Sequence, residues 1–379
     1  MTILTTLGTG NYEPTTYVWG ERAYQTSLFV TAVAAWFPGA AVKAVSTELA
    51  WERQGVALQE AIPYAERVPI PDGANEDELW QIFNVLVAAI PAGESVIFDI
   101  THGFRSQPVL SLLVASFLRV AKGIHLEAVL YGAYERDREN SPVFDLTPFV
   151  AMLDWANATE RFLETGDARK IAALIREQRK NPLNSLAARL TDLSEALALV
   201  RPILVTQKAS DLMVRIAQAR AEPWEAQHAP LKLLLDRIEM SFSPLAATEP
   251  LRAQWQQIGW LTTHQHYLAA AALAREWLVH VRVVVAGGTI VPIDNALRDA
   301  AESWLNNADN EKGSAPHEAP PEWKASVALW RNLTDLRNDL AHCGLRVSPR
   351  PPSTITSSVE KLPSELAAAA RLLGIEISE

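Results

Sequence analysis

A chain of 379 residues with a single cysteine, Cys343, can form no internal disulfide and no cysteine-rich zinc cluster. Long apolar runs are missing as well. No stretch is long enough to cross a bilayer, and the opening MTILTTLGTG lacks the basic n-region of a secretory signal. The expectation is a cytoplasmic protein with no membrane attachment. Positive charge is scarce: 34 Lys and Arg against 44 Asp and Glu leave a net charge of −10. That excludes a broad basic footprint for nucleic acid but not a small local one. Residues 331–350 hold Arg331, Arg337, Arg346 and Arg350 against Asp335 and Asp339, a positive stretch within an acidic chain. What is present is ordinary for a globular protein, 49% hydrophobic and 21% charged residues, and the length allows two domains with separate cores.

Up to about residue 148 strand and helix patterns alternate. Thr2–Leu7 reads as a strand and Tyr24–Phe37 as a helix. A strand at Ala41–Ser46 follows, then an amphipathic stretch through Ile62 and a strand near Arg67–Ile70. NEDELWQIFNVLVAAI opens with Asn75 and an acidic first turn, as a helix N-terminus does. A strand at Ser95, a helix over Gln107–Lys122, and strands near His125–Tyr134 and Val143–Leu146 complete the alternation. This pattern predicts a parallel-core sheet covered by helices on both faces. Beyond it the strand patterns stop, and residues 149–379 read as an all-α region with a mobile polar loop, NNADNEKGSAPHEAPP. LRAQWQQIGWLTTHQHYLAAAALAREWLVHVRVVV and NSLAARLTDLSEALALVRPILV each read as one continuous helical stretch.

Two loops fall at carboxyl ends of predicted strands, where open α/β sheets bind ligands. In LGTGNYEPTTY, Gly8 and Gly10 let backbone approach a ligand closely and tolerate positive φ. A dinucleotide fingerprint is excluded, because its third glycine would fall on Glu13. In DITHGFRS, Thr101 brings a hydroxyl, His102 an imidazole, Gly103 an accessible amide and Arg105 a guanidinium suited to phosphate. On chemistry alone a plain alternative stands beside this: Asp99 caps a turn and His102 is a satisfied structural histidine.

Asp99-Ile-Thr101-His102-Gly103, taken with LGTGNY and with the later LYGAYE and DLTPF, resembles the D-x-T-H-G signature of the CRISPR-associated CARF proteins. The resemblance implies an α/β Rossmann-like CARF domain over residues 1–148, dimeric and sensing cyclic oligoadenylate. Gly8, Thr9, Gly10 and Asn11 would line one wall of its pocket. Thr101, His102, Gly103, Phe104 and Arg105 would line the other. A two-fold ring suits a site built across a two-fold axis.

RNDLAH, Arg337–His342, fits the R-x(4–6)-H pattern of HEPN ribonucleases, with Asn338 as the polar residue after arginine. The spacing alone is weak, since REWLVH, Arg275–His280, matches it too. Arg337 lies late in a helix whose apolar side is Leu329, Trp330, Leu333, Leu336 and Leu340, whereas core residues surround Arg275, a stretch that resembles another helix of that fold. Residues five apart on an ideal helix differ by roughly 140°, so Arg337 and His342 do not pair side by side in one chain. A composite site at a dimer interface resolves this.

The two resemblances together imply an all-α HEPN domain following the CARF domain. The expected activity is metal-independent, activator-dependent cleavage of single-stranded RNA, with 2′,3′-cyclic phosphate products and no catalytic cofactor. Arg337, His342 and Asn338 are the catalytic candidates, Asn338 orienting the attacking hydroxyl or the histidine, with Cys343 beside them only packing. The activator would be cyclic tetra-adenylate or hexa-adenylate, and the assembly a homodimer or an oligomer of dimers. Two other readings stay open: a sensor whose helical region is catalytically silent and recruits a partner, and a ring nuclease that degrades its activator in the CARF pocket.

Overall fold

The computed structural model describes residues 1–103, 106–135, 139–177, 184–222, 231–345 and 347–377. Phe104, Arg105 and Arg346 lie outside them. The chain folds as two compact units, Met1–Asp154 and Trp155–Glu379.

The first unit is a sheet with helices on both faces. Its strands are β1 (Thr2–Thr6), β2 (Thr15–Trp19), β3 (Arg22–Thr26), β4 (Ala41–Ser46), β5 (Glu66–Pro69), β6 (Ser95–Asp99), β7 (His125–Gly132) and β8 (Asn140–Asp145). Their spatial order is β3-β2-β8-β7-β6-β1-β4-β5. The five strands β7-β6-β1-β4-β5 run parallel. β8 is antiparallel to β7, β2 parallel to β8, and β3 antiparallel to β2. The helices are α1 (Phe29–Trp36), α2 (Glu48–Ala61), α3 (Glu76–Ala89) and α4 (Gln107–Ala121).

Period-two alternation sorts the core into two layers. Ile3, Ala44, Ile97 and Leu130 pack with α1 and α2, while their neighbours Leu4, Val45, Phe98 and Val129 pack with α3 and α4. Asn75 caps α3 as its sequence predicts, accepting from the Glu78 amide at 3.0 Å.

Tyr24–Thr26, expected at the head of a helix, instead belong to β3, the second arm of a hairpin. TTYVW and RAYQT pair across a turn at Gly20, whose φ of +60° suits glycine. The β-branched and aromatic residues of β2 and the glycine turn were its sequence marks. A further helix, α5 (Thr147–Thr165), starts in the first unit and ends in the second. The division falls a few residues beyond 148 because the start of α5 packs on the sheet layer: Val150 joins that core, and Arg119 pairs with Asp154 at 2.6 Å.

Among its described residues the second unit consists of helices and their connections, with isolated bridges in place of strands. It comprises the rest of α5 and α6 (Arg169–Glu177), α7 (Asn184–Ala198), α8 (Pro202–Ala221), α9 (Leu231–Phe242), α10 (Pro250–Thr263), α11 (Tyr267–Val285), α12 (Asn295–Asn307), α13 (Lys324–Ala341), α14 (Pro352–Glu360) and α15 (Leu362–Leu372). Two stretches expected to be continuous are broken. Val200, at φ 51°, and Pro202 end α7 and start α8, and Gln265, at φ 61°, separates α10 from α11. The polar loop after α12 is tied down rather than loose. Asn307 Oδ1 accepts from the Ala315 amide at 3.2 Å, Asp309 Oδ1 from Ala319 at 2.8 Å, and Arg331 donates to the Ala308 carbonyl at 2.7 Å.

Candidate functional site

β1 and β6 are parallel neighbours, with Thr5 opposite Asp99 in register. The chain leaving β1 leads through the β2–β3 hairpin to α1 on one face. The chain leaving β6 leads directly to α4 on the other. This divergence is the topological switch point of an open sheet, where a crevice forms beyond the strand ends. Both loops singled out in the sequence, Leu7–Glu13 and Ile100–Ser106, begin there.

Most side chains of DITHG are used to shape the crevice. Asp99, buried, accepts from the Thr5 hydroxyl at 2.7 Å and from the Thr101 amide at 2.9 Å. Burial pushes its carboxyl up to about 6 against the pull of those two donors. The Thr101 hydroxyl accepts from the Gly132 amide at 2.8 Å, tying the loop to β7. His102 Nε2 accepts from the Phe29 amide at 3.3 Å, which places the imidazole proton on Nδ1. Burial holds its pKa down at about 4, so at neutral pH the ring is uncharged and poorly suited to moving protons. Gly103 sits in a tight place: a Cβ there would lie 3.0 Å from Thr6 Oγ1 and from the Pro108 ring, which would have to give way.

The opposite wall presents backbone. Gly8 and Gly10 are absent from the positive-φ residues, so close approach rather than handedness explains them. A Cβ on Gly8 would lie 2.6 Å from the His102 carbonyl oxygen and 2.9 Å from the Tyr12 hydroxyl. One on Gly10 would lie 3.1 Å from Tyr12 Cε1. From α2, Arg53 donates to the Thr9 carbonyl and Gln54 to the Gly10 carbonyl, each at 2.6 Å. Because a trans peptide points its N–H opposite its C=O, these bonds aim the Gly10 and Asn11 amides away from α2. Asn11 itself is exposed and Thr9 partly so. The sequence reading missed Tyr12, Arg53 and Gln54. Tyr12 stood in the quoted loop, but its partner is His102, ninety positions on, and no local pattern marks the other two.

At the other constellation, Arg337 and His342 are both exposed at the end of α13, and Arg337 donates to its neighbour Asn338 at 2.9 Å. His342 is the C-cap, followed by Cys343 at φ 55° and Gly344 at φ 67°. Cys343, expected to pack, is exposed. The expected positive stretch is largely committed elsewhere: Arg331 holds the Ala308 carbonyl, and Arg350 bonds Asp335 at 2.8 Å and Asn332 at 3.0 Å. The Arg350 amide also donates to buried Asp339 at 2.9 Å, folding the segment after His342 back on α13. In the competing match, Arg275 bonds Glu302 at 2.6 Å and covers the Trp330 ring at 4.1 Å, while His280 bonds Gln254 at 2.7 Å. Those two residues hold α11 to its neighbours.

Among the described residues no three His, Cys, Asp or Glu side chains are grouped to hold a metal ion, and no helix is long and apolar enough to cross a membrane.

The first unit is thus a mixed sheet with a parallel core and a backbone-lined crevice at its switch point, followed by a helical unit. Residues 151–245, which run from within α5 to just past α9, match the family described as CRISPR-associated protein MJ1674, second domain. The chain is also 28% identical, over 149 residues, to CRISPR-associated protein MJ1674 of Methanocaldococcus jannaschii. That match takes in 36% of this chain and 24% of the archaeal protein, so it spans about a quarter of the relative's length. Among solved structures, Csm6 of Enterococcus italicus bound to cyclic hexa-2′-fluoro-hexa-dAMP overlaps 98% of this chain and 95% of its own. The identity is 12% and the TM-score 0.41, too loose a likeness to define function.

Proposed function

We propose that this chain is a CARF–HEPN ribonuclease of type III CRISPR defence, acting in the cytoplasm. Cyclic oligoadenylate, tetra-adenylate or hexa-adenylate, binds the strand-tip crevice, and single-stranded RNA is cut at the end of α13. The observation that carries the reading is the meeting of Gly8–Asn11 with Thr101–Gly103 at the β1–β6 switch point, in a chain similar to a CRISPR-associated protein. Phe104 and Arg105, the remaining candidates of this loop, lie outside the described residues.

Phosphates are received by the Gly8–Asn11 amides and by Arg105, which suits a ligand that is all backbone charge. The low pKa of His102 favours a receptor over a cutting centre in this crevice. Cleavage falls to Arg337 and His342. His342 moves protons as the ribose 2′-hydroxyl attacks its own phosphate, Arg337 stabilises charge on the phosphorane-like transition state, and Asn338 orients the attacking hydroxyl or the histidine. The products are a 2′,3′-cyclic phosphate and a 5′-hydroxyl, and no step calls for a metal.

The working form is a homodimer. α4 supports this, because it is apolar on both sides: Val114, Ala115 and Leu118 are buried in the sheet layer, while Val109, Leu113, Phe117 and Val120 form an exposed stripe. Trp80 and Phe83 of α3 extend that stripe through ring contacts of 5.8 and 5.6 Å that end on Phe117. A helix that begins at the ligand loop and is sticky outward suits a second copy bringing a second loop. Leu345 and Val347, fully exposed just past His342, suit a partner there as well.

The test is cleavage of labelled RNA by the purified chain, with and without cyclic tetra- and hexa-adenylate. Cleavage that appears only with one ring, leaving cyclic phosphate ends, is expected. Equal cleavage without activator, or binding of activator with no cleavage, overturns the ribonuclease reading.

A further inference from the structure

Tyr12 sits where a ligand for the crevice would go. Its hydroxyl oxygen accepts the Gly8 N–H at 3.0 Å, and its ring lies 3.9 Å from the His102 ring, tilted by 30°. Both glycines of LGTG make room for it, since a Cβ at either position would press on the Tyr12 side chain. Burial raises the Tyr12 pKa, and the backbone amides of Gly8 and Gly10 act against that rise, as donors turned toward the phenol oxygen do. The Gly8 amide bonds the phenol oxygen and the Gly10 amide, two residues on, acts on the same atom, so two amides of one short loop serve a single acceptor, as in loops that receive phosphate.

On the second wall, His102 is tied to the Phe29 amide and Thr101 to the Gly132 amide. The carbonyls of the glycine loop are gripped from α2 by Arg53 and Gln54. The half-buried Tyr12 side chain is the part of the crevice able to leave.

We propose that Tyr12 is the gate of this site: its phenol oxygen occupies the place of a ligand phosphate oxygen on the Gly8 amide, and ligand entry exchanges one acceptor for the other. An anionic phosphate oxygen is the stronger acceptor and wins the exchange. A neutral nucleoside gains nothing over the phenol and is turned away, so the gate selects for phosphate. Its opening also bares the face of the His102 ring. The gate rests on the ligand reading of this crevice given above.

Tyr12→Phe separates the two ideas, since it keeps the ring contact and removes the competing oxygen. Titration of the full chain with cyclic tetra- and hexa-adenylate should show roughly three- to tenfold tighter binding in Y12F, the range expected for one hydrogen bond given up on entry. Without ligand, hydrogen exchange over residues 7–13 should be faster in Y12F than in the unaltered chain. Saturating ligand should slow it in both, and adenosine should slow it in neither. Equal or weaker binding by Y12F, with binding intact in the unaltered chain, overturns the gate and leaves the sensing function standing. Absence of binding by the unaltered chain overturns the sensing function, and the gate with it.

Discussion

The strand tip and the end of α13 carry similar residues and use them in opposite ways. At the strand tip nearly every polar side chain is committed to another part of the fold. Asp99 receives two donors, Thr101 uses both its amide and its hydroxyl, and His102 is held by Phe29 and covered by Tyr12. At the end of α13, Arg337 and His342 stand in solvent. The contrast assigns roles by what is left available. On the proposed assignment, backbone amides serve the ligand where side chains are used for shape, and the exposed side chains at the end of α13 serve the chemistry.

The sharpest way to break this contrast is His342→Ala. On the proposed assignment, RNA cleavage falls by at least about a hundredfold. The melting temperature should hardly move, because the side chain is exposed. Undiminished cleavage would place the cutting elsewhere.

Gly8→Ala attacks the other member of the pair. A Cβ forced to within 2.6 Å of the His102 carbonyl displaces one wall from the other. Ligand affinity should drop more than about tenfold and stability by about 1–3 kcal/mol, read from titration and denaturant melts. An unaltered affinity would mean that the two walls do not form one site.

Asp99 offers a test by pH. Its folded-state pKa of about 6 lies above the ordinary 3.8, so between these values the folded chain keeps a proton that the unfolded chain releases. Its contribution to stability is therefore full below about pH 4 and lost as pH rises through 6. Asp99→Asn keeps an acceptor for the Thr101 amide and puts an N–H₂ where the oxygen accepting from Thr5 stood, so the Thr5 hydroxyl turns from donor to acceptor and the titration is removed. Relative to the unaltered chain it should gain up to about 3 kcal/mol between pH 4 and pH 7. Parallel stability curves for the two proteins would show that Asp99 is not buried as described.

The smallest effect is expected of Arg53→Ala, which frees the Thr9 carbonyl at an exposed position. Ligand binding should weaken roughly two- to fivefold with no measurable loss of stability. A larger effect would make Arg53 a direct phosphate ligand.

Much of the fold could be read from local pattern. β1, β4, β6 and α2 to α4 follow from alternation, apolar spacing and caps, and the Asn75 cap falls where expected. The hairpin of β2 and β3 could not be read so simply. Its strands are short, β3 is exposed, and β2 finds its place through parallel pairing with β8, more than a hundred residues later. The breaks at Val200 and Gln265 were hidden because apolar periodicity continues across them. Within the candidate site, DITHG and LGTGNY were visible as residues with suitable chemistry. The direction in which each group points was not, since His102 is set by Phe29 and Tyr12, and the glycine loop by Arg53 and Gln54.

The sequence by itself determined the alternation that builds a parallel core, the helical second half, and the concentration of hydrogen-bonding groups in two short runs. These depend on periodicity and on the conformational habits of single residues, which are local. Only the tertiary structure decided that the two loops share one switch point, that His102 is neutral and pinned, and that Tyr12 fills the space between two glycines. Those outcomes depend on which strands become neighbours and which groups lose water, and neither is encoded in any short stretch of the chain.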